Sequence, residues 1–340
     1  QALEVWRGLV RWSDSGTHER KAMKLTLSPR DLFAKDANLA ERKYDTIQYP
    51  NLHQTYAGRS ISEVIGAGHL RVECAVVDTI GRVIRPGLSV SIVRALYKDG
   101  VLYPAANWSY SATTNHIQIL AGGAGTWPTD KDSTWSVDCD GVSWEGSPNM
   151  LPGKLARYLL ERGGITSGEV YAASFTEIDT TASYPLRFVA TDSVGLRDAL
   201  LTTMRSGRFH VVFRIDGDLE AVPDALGTPY TTTPVFEDGD LLEDPVTTED
   251  QAGMGSWAVV SYWGYPLPGV VKAEWAGGTW LTKPWHQREG EKKLETYHSS
   301  LAGARYSAGS FQLNYTFRHV QIRTLRKGLA AGVGHSVVLN

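Results

Sequence analysis

Cysteine is almost missing from this chain: Cys74 and Cys139 are the only two in 340 residues. That count excludes a disulfide framework for a chain of this size, and the pair lacks the close spacing of a zinc or iron-sulfur site. Both are expected as small buried apolar residues. An excess of positive charge is also missing, with 34 Lys and Arg against 37 Asp and Glu and a net charge of −3. Nonspecific phosphate binding rests on clustered basic side chains, so neither DNA nor RNA is expected as a direct ligand. No segment approaches the roughly 20 apolar residues of a membrane span, and residues 1–10 show no basic lead followed by an apolar stretch and a cleavage site. A soluble, unsorted chain with no membrane span is expected. An initial Met is absent while a strand pattern starts at Leu3, which fits either processing or an opening within an extended arm.

Catalytic signatures are missing as well. No glycine-rich loop is followed by Lys-Ser or Lys-Thr, and Gly122-Gly123-Ala124-Gly125 lies between strand signals with no helix to aim its amides at a phosphate. The nine histidines are scattered singly, without the helical His-Glu-x-x-His pairing of a zinc hydrolase. Asp130, Asp132, Asp138 and Asp140 suggest a calcium loop, but the glycine and terminal glutamate of an EF-hand are absent. Asp138 and Asp140 alternate with Val137 and Cys139, which predicts the wet face of a strand running into Gly141. The acidic run Glu237, Asp238, Asp240, Glu243 and Asp244 reads as a solvated linker. No catalytic residue, cofactor or metal is expected, and the chain is read as not an enzyme.

Aromatics and glycine, by contrast, are plentiful: 11 Trp, 15 Tyr and 34 Gly. Such a mixture suits sheets joined by tight turns, so the expected fold class is mainly β with a few short helices, arranged as several barrel and sandwich modules. Four segments are expected. Residues 1–70 hold a hairpin (Leu9 and Val10 against Leu25 and Leu27), a short helix capped by Ser28-Pro29, and an extended connector over 35–68. Residues 71–146 form an all-β module with strands over 72–79, 88–97, 101–103, 116–120 and 135–138, and with Asp99-Gly100 as a hairpin turn. Residues 147–245 form an α+β module: a helix over 152–162 stopped by Gly163-Gly164, and a helix over 194–205 capped by Asp192 or Ser193 with Gly207 just past its end. The hairpin 209–222 follows. Residues 246–340 return to strands over 257–263, 270–275, 309–318 and 334–339.

Trp108, Trp127, Trp144, Trp275, Trp280 and Trp285 suit sugar stacking, and Asp138 with Glu145 or Glu161 offers paired carboxylates. These features support an alternative function as a glycan-binding or glycan-cleaving β protein at the bacterial surface.

The order of elements and four local patterns resemble the minor tail and tail-tip hub proteins of long-tailed bacteriophages, and more distantly the hubs of contractile baseplates. The patterns are the opening pair 4–10 and 24–28 with Arg30-Asp31-Leu32, then Tyr49-Pro50-Asn51-Leu52 with Gly58-Arg59-Ser60-Ile61 and Val64-Ile65-Gly66. The third is 136–141 ahead of Leu151-Pro152-Gly153-Lys154, and the last joins 196–222 to the closing 328–339, where His335 replaces the more usual acidic residue. This resemblance implies a structural protein of the virion tail tip, assembled in the host bacterial cytoplasm, that closes the tube and joins it to receptor-binding or fibre proteins. It further implies a homotrimer in a ring, with distal tail, tube and tape measure proteins as partners. Some relatives carry a cysteine-bound iron-sulfur cluster, which two cysteines cannot supply. Two segments are the expected intersubunit arms: 35–68, with Tyr49, Leu52, Tyr56 and Arg59, and the loop 279–293, with Trp280, Trp285, His286 and Arg288.

Overall fold

The computed structural model describes residues 8–11, 26–29, 38–120, 127, 131–191, 194–213, 218–223, 235–236, 246–248, 257–264, 269–274, 291–314, 319–321 and 338–339. Strands β1 (Gly8–Arg11) and β2 (Thr26–Pro29) pair antiparallel, Gly8 opposite Pro29, as the opening pattern predicts. Ser28 and Pro29 therefore end a strand instead of capping a helix: with no N–H to give a ladder, proline is tolerated where a strand stops. Residues 30–33 lie outside the described residues. The expected connector contains a short strand, β3 (Glu63–Ile65), and a single 3-10 turn over Gln54–Tyr56.

Seven strands follow: β4 (Leu70–Asp78), β5 (Val83–Arg85), β6 (Ile92–Lys98), β7 (Val101–Tyr103), β8 (Trp108–Ser111), β9 (His116–Ile119) and β10 (Trp135–Asp140). They form one antiparallel sheet in the order β7-β6-β10-β4-β5-β9-β8. Its two edge strands, β7 and β8, are joined by residues 104–107 alone. Four residues reach at most about 14 Å, so the sheet must curl until its edges approach, giving a half-barrel. Period-2 alternation aims Trp135, Val137 and Cys139 of β10 and Val72, Cys74 and Val76 of β4 at the same core. The β6–β7 turn has Asp99 and Gly100 at φ 50° and 82°, the left-handed pair that a two-residue hairpin requires.

The helical part is built on α1 (Pro152–Arg162), α2 (Ala172–Thr181) and α3 (Leu196–Gly207), with β11 (Phe188–Ala190) between α2 and α3 and the hairpin β12 (Phe209–Phe213) and β13 (Leu219–Pro223) after α3. Helix α1 begins at Pro152 and stops at Gly163 and Gly164 as expected. Leu151 has no polar side chain to cap it; the Asp179 carboxylate of α2 accepts the Gly153 and Lys154 N–H groups instead, at 2.7 and 3.0 Å. Helix α2 is absent from the sequence reading because Thr176, Thr180 and Thr181 weaken the helical signal. Each satisfies its hydroxyl on the carbonyl four residues back.

Helix α3 differs from expectation at both ends. Its cap position is held by Gly195, not Asp192 or Ser193, and the left-handed residue after it is Arg208 at φ 57°. Gly207 is the last helical residue, where a Cβ would stand 2.5 Å from Pro152 and 2.6 Å from Phe209. Close approach of α3 to α1, not backbone freedom, calls for glycine there.

Toward the C-terminus come β14 (Val235–Phe236), β15 (Val246–Thr248), β16 (Trp257–Tyr262), β17 (Gly269–Glu274), β18 (Glu291–Glu295), α4 (Leu301–Asn314), β19 (His319–Gln321) and β20 (Val338–Leu339). β16 pairs antiparallel with β17 and parallel with β18, so the charged run expected as a loop already belongs to a strand at Glu291. Residues 309–314, expected in a strand, are helical in α4, whose buried Ala304, Ser307 and Ala308 let it pack closely. The fold is thus mixed α/β, one curled half-barrel sheet with four helices among the described residues, where a mainly β chain of barrels and sandwiches is expected from composition.

Candidate functional site

The segment over 38–68 is where the sequence places half of its interface residues. Tyr49 and Tyr56 are buried, at 7% and 8% exposure, against this chain's own half-barrel. They form an aromatic cluster with Tyr44, whose ring centroid lies 6.0 Å from Tyr49 and 6.4 Å from Tyr56. Burial pushes the Tyr44 and Tyr56 phenols up from their ordinary range. Arg85 donates to the Tyr49 hydroxyl, and Leu52 is half-buried beside the same core. Arg59 alone of the four stays on the surface, over the Tyr56 ring at 5.4 Å and 3.8 Å from Glu73. A cavity of about 140 Å³ opens there, between Tyr44, Tyr56, Arg59, Ser60 and Glu73. The segment is held as a covering layer: His53 donates its N–H to Val76, and Thr79 donates its N–H to Asn51. Trp280, Trp285, His286 and Arg288 lie outside the described residues.

Downstream, the same segment becomes a joint between the sheet and the helices. β3 pairs antiparallel with β11, Ile65 opposite Phe188. Glu63, 2% exposed, accepts from Tyr158 and from Arg162 of α1, the latter at 3.1 Å. At Gly66, φ is +93° and a Cβ would stand 2.3 Å from the Leu186 carbonyl, so the two backbones touch. Gly141 repeats the device: a Cβ there would meet the Val64 carbonyl oxygen at 2.3 Å.

Asp138 and Asp140, expected on a wet strand face, are 3% and 2% exposed. The alternation is real, but the face is covered. His69, itself at φ 62°, lies with Nδ1 2.6 Å from the Asp138 carboxylate. Asp140 accepts the Gly68 N–H at 2.8 Å and a hydrogen bond from Arg94, which a bulge in the β10–β6 register brings into place. Arg187 sits behind, donating to the Trp263 carbonyl at 2.6 Å; burial pulls its pKa down while Asp138 opposes the shift. Charges buried this way must be paired to persist, which marks the cluster as a structural tie.

The same segments hold the C-terminal part. Arg187 donates its N–H to the Tyr297 carbonyl, Trp263 donates to that of His298, and Ser299 to that of Pro185. His298 is fully buried, with Nε2 2.8 Å from the Ser307 hydroxyl, and burial pulls it down to about 4.

The remaining sequence candidates are spent on packing. Trp127 is buried and donates to the Thr79 carbonyl at 2.7 Å, Trp108 is half-buried against the half-barrel core, and Trp144 is covered by Arg157, whose guanidinium lies 4.9 Å from the ring centroid. None of these three is a bare stacking platform; Trp275, Trp280 and Trp285 lie outside the described residues. Glu161 accepts from the Trp144 indole at 3.1 Å, and Glu145 pairs with Arg157. Cys74 and Cys139 are free and buried as expected, and burial pushes both thiols up. Among the described residues no group of three or more His, Cys, Asp and Glu is placed to hold a metal ion, and no helix is long and apolar enough to cross a membrane.

No protein-family model matches the chain, and no curated protein matches it. Among solved structures, a chain from the virion of a native gene transfer agent particle is similar to it with a TM-score of 0.52 at 12% identity, over 83% of this chain and 79% of that one. A tail protein from Neisseria meningitidis MC58 aligns over 82% of this chain and 86% of its own at 14% identity, with a TM-score of only 0.34. The likeness that counts is therefore one of fold: most of this chain is arranged like a component of a gene transfer agent virion.

Proposed function

We propose that the chain is a non-catalytic structural component of a phage-type tail tip, of the hub kind. In this reading it closes the tail tube as a ring or trimer and joins it to receptor-binding or fibre proteins, with distal tail, tube and tape measure proteins as neighbours. It is assembled in the bacterial cytoplasm and ends in the virion. The observation that carries the reading is the similarity in fold to a gene transfer agent virion chain across about four fifths of both. Two further features support it. The buried polar side chains of the joint are absorbed in ties between segments, and the sequence pattern resembles tail-tip hubs. The loop 279–290 and the exposed Arg59 remain the proposed intersubunit contacts, whereas Tyr49 and Tyr56 act by holding the segment that carries Arg59.

Light scattering on the purified chain, alone and mixed with the tube and distal tail proteins of the same particle, tests this. A stable trimer, or a larger complex formed on mixing, is expected; an inert monomer under both conditions would reject the hub reading.

A further inference from the structure

The C-terminal elements meet the helical part around one short segment, 297–299. Arg187 donates its N–H to the Tyr297 carbonyl at 2.7 Å, and Ser299 donates to that of Pro185 at 3.1 Å. The Tyr297 ring stacks on Phe188 of β11 with centroids 3.8 Å apart, and the Tyr297 N–H reaches the Ser206 hydroxyl of α3 at 3.1 Å. The core that the C-terminal elements hold for themselves is small among the described residues: Val260 of β16 with Ala304 and Ala308 of α4. Their attachment therefore depends on what lies at this segment, and its middle residue is the buried His298.

The imidazole is wedged between α3 and α4. Its Nε2 lies 2.8 Å from the Ser307 hydroxyl, which in turn donates to the Ser206 carbonyl at 3.0 Å. That direction makes Ser307 the acceptor and Nε2 the protonated nitrogen, so Nδ1 keeps a lone pair. Nδ1 is buried with no hydrogen-bond partner among the described residues, and the α4 backbone closes over it at Gly303, where a Cβ would stand 2.4 Å away. A second proton would put an N–H and a full charge where neither has an acceptor. The charged groups on the elements packed around it are mostly cations: Arg187 beside β11, Arg205 and Arg208 at the end of α3, and Arg305 of α4. The carboxylates Glu295 and Asp198 act on the neighbouring Tyr297, and Tyr184 and Tyr306 are the other titratable side chains there. Burial pulls the His298 pKa down to about 4, with the Ser206 carbonyl opposing the shift.

We propose that His298 is a proton-sensitive latch, whose protonation releases β16–β18 and α4 from the helical part while the half-barrel stays folded. The inference stands apart from the tail-tip reading and holds whatever the chain assembles with. Opening lets water and an acceptor reach Nδ1, so the open form takes up the proton that the closed form refuses. The sign follows: the latch is closed at neutral pH, and below the ordinary imidazole value of about 6.5 acid favours opening by up to about tenfold per pH unit, until the closed form also titrates. The half-barrel is spared because its buried carboxylates, Asp138 and Asp140, are tied to His69, Gly68 and Arg94, away from this contact.

The test is hydrogen exchange of the full chain, read by mass spectrometry from pH 7.5 to pH 4.5 and corrected for the intrinsic exchange rate at each pH. Peptides over 257–264 and 297–308 are expected to lose protection as the pH falls, by no more than about tenfold per pH unit for a single proton, while peptides over 70–98 keep theirs. His298→Gln keeps an amide donor for Ser307 and has no proton to gain, so its protection over 257–264 and 297–308 is expected to be independent of pH. Three results overturn the latch, two of them in the natural chain alone: loss of protection at the same pH in both sets of peptides, and no loss down to pH 4.5. The third is an unchanged pH dependence in His298→Gln.

Discussion

His298 shows how one side chain can make the stability of a chain depend on pH. Its folded pKa of about 4 lies below the 6.5 of a free imidazole, because burial penalises the cation. Between those values the unfolded chain binds a proton that the folded chain refuses. The contribution is therefore complete above about pH 6.5 and is lost as the pH falls through 4, amounting to about 3 kcal/mol. Urea midpoints measured from pH 7 to pH 4 are expected to fall, and to fall less in His298→Gln. Glu63 makes a second prediction at this scale. Glu63→Ala strands the buried Tyr158 hydroxyl and should cost about 2 kcal/mol, while Glu63→Gln, which keeps an acceptor, should cost less. Both are read from denaturant curves.

At the scale of elements, the contact of β3 with β11 depends on backbone touching backbone. Gly66→Ala meets the Leu186 carbonyl and a positive φ together, and should destabilise by more than about 2 kcal/mol. Gly58→Ala, at φ +78° with nothing within 4 Å, suffers the backbone penalty alone, about 1 kcal/mol. A difference between the two in thermal unfolding isolates the contact; equal losses would deny it. Strand β18 carries a practical consequence as well. Deleting 279–293 removes residues that pair with β16, so a deletion meant to test the loop without harming the sheet must stop at 290. On the proposed hub reading, the shorter deletion is expected to leave the urea midpoint unchanged while abolishing complex formation with the tube and distal tail proteins.

For the whole molecule, two hydrophobic clusters matter, one inside the half-barrel and one among α1, α2, α3 and the hairpin β12–β13. The segment over 38–68 contributes to both: Tyr44, Tyr49, Tyr56, Ile61 and Val64 to the first, Leu39 and Ile65 to the second. What reads in sequence as a reaching arm is thus also the tie between the two cores.

Local chemistry was legible from the residues alone. Asp99-Gly100 needs left-handed backbone and forms the hairpin, Pro152 and Gly163 bracket a helix, and two isolated cysteines are buried, because each of these follows from neighbours in the chain. Alternation likewise showed that Asp138 and Asp140 share a strand face. Which face is covered was decided only by the tertiary structure, because the partners that cover it, His69, Arg94 and Arg187, come from elsewhere in the chain. The same holds for Gly207, whose missing side chain answers to Pro152, and for the curl of the sheet, which depends on how strands far apart in sequence are ordered and on the short link between its edges.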